Sequence, residues 1–170
     1  MEFLELTKAR YSVRKFADKP VEAEKLEKIL AAGATAPTAK NQQPQRIYVL
    51  ESEDAIGKIR GITRCAFNAP VVLLVCGDKE AAWTNPFNDR NSAEMDCSIV
   101  TTQMMLQAQE LGLGTCWVCW FDTEETKKAF HIPETQEVFA LLPLGYPAEE
   151  SKPSGMHDSR KPLEETVVRL

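Results

Sequence analysis

The chain has 170 residues, 44% of them apolar and 26% charged, with a formal net charge of −5. That is the profile of one globular domain with a core of its own, and the acidic balance excludes a nucleic-acid backbone as the main partner. The longest apolar run, residues 71–76, is strand-sized and far short of a bilayer span, and the start shows no basic-then-apolar leader, so a cytoplasmic protein without membrane contact is expected.

Phe3, Leu4 and Leu6 lead into Tyr11 at helical spacing and predict a short helix over 2–11. Arg10 and Arg14 then share one face of that helix or of its exit, with the Ser12 hydroxyl between them. A guanidinium is a planar fork of donors that grips phosphate bidentately. Two of them beside a serine in an acidic chain point to a bound anion, although a solvated basic helix end would look the same. Lys8, Lys15 and Lys19 crowd this stretch, and Arg160 and Lys161 reappear near the end. Pro20 opens a second helix through Val21, Leu26, Ile29 and Leu30, with Glu22 and Glu24 where the helix dipole favours carboxylates. Residues 36–45 carry two prolines and several side-chain amides and read as a loop. Such amides suit a planar heterocycle, or the loop simply joins helix to strand.

Further on, 47–50 reads as a strand, 54–62 as a helix, and 70–76 as a central strand covered on both faces. The pattern breaks over 78–90, where Trp83 and Phe87 stand exposed among polar residues, either to cover a flat ligand or to tuck beneath the loop. Residues 92–111 form the longest helix, with Met95, Ile99, Met104, Leu106 and Leu111 along it, and Gly112 and Gly114 end it. A strand is expected over 115–121, a helix from the Asp122 cap to Phe130 with Glu125 at the capping-box position, and a strand over 137–144. The polar tail that follows makes best sense wrapped over another surface, where Leu163, Val167 and Val168 would be buried. This order predicts an α+β or α/β domain with a mixed sheet.

Several site chemistries are missing from the sequence. There is no glycine-rich phosphate loop, and His131 and His157 lack partners at metal-ligand spacing, so both read as surface residues and no metal site is expected. Five cysteines do not suggest a disulfide framework; Cys65, Cys76 and Cys97 read as small core residues. Cys116 and Cys119 have thiol–disulfide exchange spacing, but in a β-favouring stretch residues three apart point to opposite faces.

Four stretches together resemble the FMN-dependent nitroreductase family, and the likeness runs nearly end to end. They are residues 10–16 followed by Lys19-Pro20-Val21; Ala36-Pro37-Thr38 with Asn41, Gln43 and Pro44; Gly112-Leu113-Gly114-Thr115-Cys116-Trp117; and Leu144-Gly145-Tyr146-Pro147 with residues 160–165. The resemblance implies an α+β fold with a central mixed, mainly antiparallel sheet flanked by helices. It implies a single FMN-binding domain over 1–170 whose arm, 148–170, is exchanged in a homodimer with FMN at the interface. By similarity Arg10, Ser12 and Arg14 would hold the phosphate and ribityl chain, with Tyr11 contributing backbone and Arg160 returning to the phosphate. Pro37, Thr38, Ala39 and Asn41 would approach the ring from the other subunit, and Cys116, Trp117 and Val118 would line it. Arg14 or Lys40 would face its N1–C2=O edge. The implied activity is hydride transfer from NADH or NADPH through FMN to a flat electron-poor acceptor such as a nitroaromatic or quinone, with no side chain required as acid or base; an FMN carrier or redox sensor is the alternative. Three departures stand out: Asp158 where a basic residue is common, Cys119 where glycine is usual, and an active-site cover shortened to about 78–91, leaving Trp83 and Phe87 as its aromatic residues.

Overall fold

A four-stranded sheet forms the centre of the computed structural model, which describes residues 2–170. Its strands are β1 (Gln45–Leu50), β2 (Val71–Asp78), β3 (Gly114–Thr115) and β4 (Gln136–Gly145), in the spatial order β1-β2-β4-β3 with every ladder antiparallel. A parallel bridge from Ser12 to Thr115 adds the stretch after the first helix to the β3 edge. The helices are α1 (Phe3–Ala9), α2 (Ala23–Ala34), α3 (Glu53–Ile62), α4 (Ala93–Glu110), α5 (Thr123–Phe130) and the short α6 (Leu163–Thr166). The fold is α+β, as expected. Among the described residues no helix is long and apolar enough to cross a membrane.

The unbroken apolar run of β2 follows from cover on both faces. Val71, Leu73 and Val75 pack with Leu26 and Ile29 of α2 and Val100 and Met104 of α4. Val72, Leu74 and Cys76 pack on the other face with Ile56 and Ile59 of α3 and with Ile132 just past α5. Alternate residues thus serve two cores. In β4 the register slips between the partners of Val75 and Cys76, leaving Phe139 as an extra residue. At this bulge Phe139 joins Ala140 on the α2/α4 side while Val138 keeps to the α3 side.

Three expectations are corrected. The strand expected over 115–121 ends at Thr115. Cys116 N–H donates to the Pro143 carbonyl at 3.3 Å, but proline has no N–H to return, so the ladder stops there. Only Val118 regains β4, in an isolated bridge to Leu141. The first helix ends at Ala9 with Arg10 already extended, which puts both arginines on its exit. The second helix begins at Ala23 rather than Pro20, and Glu22 instead accepts from the Tyr146 hydroxyl at 2.8 Å. On α4 the core face is Ala93, Cys97, Val100, Met104 and Ala108, whereas Met95 and Ile99 look outward.

Two glycines matter at the junction beside β3. Gly112 takes φ +76°, the left-handed turn that ends α4. A Cβ on Gly114 would run into the Val13 side chain, so glycine lets the arginine-bearing stretch lie against the sheet edge. Beyond β4, Ala148 N–H donates to the Lys15 carbonyl at 3.0 Å, and the near half of the tail stays on its own chain.

Candidate functional site

Val13 N–H donates to the Thr115 carbonyl at 2.9 Å and the Val13 side chain is fully buried. With Val13 facing inward, its neighbours Ser12 and Arg14 line the cleft on the other side. The tail returns to the same place. Tyr11 donates its hydroxyl to Ser151 at 3.2 Å, the His157 ring stands edge-on to Tyr11 with centroids 6.3 Å apart, and His157 Nε2 lies 3.0 Å from the Lys8 carbonyl oxygen. These contacts close a cleft of about 170 Å³ lined by Arg10, Tyr11, Ser12, Arg14, Ser154, Met156, His157 and Arg160. Arg10 and Arg14 are thus brought to Arg160 across some 150 positions of sequence, with no carboxylate in the lining. Asp158, which stands where a basic residue is common, has a side chain 99% exposed that lies 4.0 Å from His157 Nε2 and faces an adjoining cleft. His157 is half-buried and fastens the tail, which corrects its reading as a surface residue; His131 is exposed as expected.

Cys116 and Val118 are buried and Trp117 is half-buried; of the three, Cys116 lies near Ser12 and Arg14 of the cleft. Burial pushes the Cys116 thiol above its ordinary pKa against the opposing pull of the Arg14 charge and a Ser12 hydrogen bond. A thiol kept protonated is a poor nucleophile. Cys119 is exposed, accepts from the Trp117 indole N–H at 3.2 Å, and all five cysteines are free thiols. The two side chains differ in exposure, one buried and one exposed, as three-apart residues in extended chain should. Cys65, expected in the core, is half-buried.

The amide-rich loop and the cover segment lie elsewhere. Pro37, Thr38, Ala39 and Asn41 do not line the arginine cleft of their own chain. Instead Ala39–Asn41 forms a tight turn with Lys40 and Asn41 at positive φ. In the cover segment Phe87 is 95% exposed, but Trp83 is half-buried and its carbonyl accepts from Ser92 N–H at 2.8 Å, so only one of the two aromatics stands free as expected.

A family model described as the nitroreductase family matches residues 7–68 and 61–146, which include Arg10, Arg14, the 36–45 loop and Cys116 to Val118. The chain belongs to the nitroreductase family. Among solved nitroreductases it resembles a family protein from Clostridium difficile 630, with 42% identity, a TM-score of 0.93, and 99% of this chain and 98% of that one covered. An FMN-dependent nitroreductase from Clostridium difficile R20291 is 29% identical with a TM-score of 0.76, over 98% of both chains. An NADH dehydrogenase of Thermus thermophilus is 30% identical over 94% of this chain and 91% of its own length. Membership assigns this nitroreductase an oxidoreductase function in general.

Sequence reading missed two parts of the nitroreductase chain. Residues 62–64 and 119–122 enclose a cleft of about 490 Å³ in which Trp120 is 75% exposed. The second is Asp96, a carboxylate on the buried face of α4; its place three after Ala93 and four before Val100 was the available signal.

Proposed function

We propose that this nitroreductase is an FMN-dependent NAD(P)H oxidoreductase acting as a homodimer on flat, electron-poor acceptors such as nitroaromatics or quinones. The observation that carries the reading is the meeting of Arg10, Arg14, Ser12 and Arg160 on one small cleft. Three guanidiniums held together without a carboxylate repel one another until an anion arrives, and a phosphate monoester matches their fork geometry. The donor set therefore fits the phosphate end of FMN. Tyr11 would contribute backbone there, and Cys116, Trp117 and Val118 would line the ring. When bound, FMN supplies the hydride chemistry; the chain supplies position, charge and exclusion of water.

Two features support a second copy of the chain. The 37–41 loop does not line the cleft of its own protomer, and Met95 and Ile99 of α4 are exposed, as are Leu163, Val168 and Leu170 of the arm. Exposed apolar side chains such as these are what a second copy would cover. Across such an interface Pro37, Thr38, Ala39 and Asn41 would meet the partner's flavin, with Arg14 or Lys40 toward its N1–C2=O edge. Trp83 and Phe87 would lie in the cover, and the exposed indole of Trp120 offers a stacking face for a flat acceptor.

The test is the visible spectrum of the purified protein with the cofactor identified after acid release, followed by anaerobic addition of NADH and NADPH. One FMN per chain, bleached by a nicotinamide, is expected. Flavin that neither nucleotide reduces would favour a carrier, and a colourless protein that cannot be reconstituted would sink the proposal. Arg14→Ala should weaken FMN binding by about 2 kcal/mol, roughly thirty-fold, through loss of a charge-assisted hydrogen bond.

A further inference from the structure

Asp96 is 2% exposed on a helix face otherwise made of Ala93, Cys97 and Val100. A carboxylate stripped of water needs replacement donors, and its two oxygens find one each. Ala39 N–H donates to Oδ1 at 2.9 Å, and the Ser92 hydroxyl donates to Oδ2 at 2.8 Å. Neither partner is a cation, and Asp96 enters no ion pair among the described residues.

What it holds is a strained turn. Lys40, Asn41 and Gln43 have φ of +50°, +56° and +51°, a conformation that side chains disfavour. Such a cluster persists only where its surroundings over-determine it. Within the turn, Asn41 N–H donates to the Thr38 carbonyl at 2.9 Å, Gln42 N–H to the Ala39 carbonyl at 3.1 Å, and Gln43 N–H to the Thr38 hydroxyl at 3.1 Å, while Arg46 of β1 donates to the Gln43 carbonyl at 3.3 Å. Asp96 ties this unit to α4. On its other side Ser92 N–H donates to the Trp83 carbonyl, while the Asn91 amide donates to the Lys79 carbonyl at 3.0 Å and to the Thr84 hydroxyl at 3.3 Å. One buried carboxylate therefore stands between the turn and the 79–91 segment.

We propose that Asp96 is a positioning residue that fixes the 38–41 turn for contact with the flavin ring and, through Ser92 and Trp83, keeps the 79–91 cover in step with it. The inference rests on the flavin reading given above. A turn already ordered before the cofactor arrives loses less entropy on contact.

The experiment compares wild type, Asp96→Ala, Asp96→Asn and Ser92→Ala, each stripped and titrated with FMN. The readouts are flavin fluorescence for affinity, visible circular dichroism of the bound flavin, and the unfolding midpoint of the apoprotein. Asp96→Ala should bind FMN about ten-fold more weakly with an altered dichroic band. Asp96→Asn should recover most of both, since its carbonyl still accepts from Ala39 and its amide can donate to Ser92. Ser92→Ala should fall between. Wild-type affinity and dichroism in Asp96→Ala, with only a lower unfolding midpoint, would make Asp96 a packing residue and overturn the proposal. If Asp96→Ala does not fold, wild-type behaviour of Ser92→Ala overturns it. A wild-type protein that binds no FMN defeats the functional reading first, and this inference with it.

Discussion

In β2, Leu73 and Leu74 are wholly enclosed between two layers of helix, whereas in the arm Leu163 is 74% exposed and Val168 83%. Both stretches are apolar, and the difference is what the rest of the chain can reach. Helices α2 and α4 cover one face of the sheet and α3 the other, but past residue 160 nothing of the same chain closes over the side chains. Burial is thus complete where the fold needs it and incomplete where the proposed dimer would supply it. Folding and assembly draw on different parts of one sequence.

The largest effect expected from breaking this comparison is in the sheet. Leu73→Ala should lower unfolding free energy by about 3–4 kcal/mol, from lost transfer energy plus a cavity between two rigid layers. Urea unfolding checks it, and a loss below about 1 kcal/mol would mean that the enclosed core collapses to fill the gap. Deleting residues 163–170 should do the reverse, leaving the unfolding of the dilute, dissociated chain nearly unchanged while converting a dimer to a monomer in sedimentation equilibrium. A truncated chain that remains as tight a dimer would take the arm out of the interface.

A smaller effect sharpens the contrast by pH. Burial raises the Cys76 and Cys97 thiols to about 12, against an ordinary value near ~8.5 in the unfolded chain. Because the folded pKa is the higher one, their contribution to stability is full below the unfolded value and is lost as pH climbs toward about 12. The unfolding midpoint should therefore fall between pH ~9 and ~11, and less steeply in Cys97→Ala; an identical slope in the variant would assign the alkaline loss to other groups. Cys119, exposed, should meanwhile react first with a thiol reagent.

Local signals carried most of the elements. The apolar run of β2, the Asp122 cap that accepts from Glu125 N–H at 2.8 Å, and the left-handed Gly112 were all readable, because each is decided within a few residues. The end of β3 was not, since it is set by a proline twenty-eight positions after Thr115 in sequence that faces it in space. The arginine cleft was legible as residue types and spacing, but its closure by His157 and Tyr11 depends on where the tail folds back. Asp96 was hidden for the opposite reason. Its neighbours on α4 look like an ordinary apolar stripe, and only the approach of Ala39, fifty-seven positions earlier, gives the carboxylate something to do.

The bulge in β4 determines where this strand can change length. Side chains alternate between two cores, so dropping one residue between Ala140 and Leu144 would swing everything on one side of the cut to the wrong face. Phe139 is different: Val75 already pairs with Ala140 and Cys76 with Val138, so its removal joins two segments that are in register. The ladder would become regular, and the loss would be one aromatic ring over Gly77. That single position is a natural site for insertion and deletion, the place where a redesigned β4 can be shortened without rewriting either core.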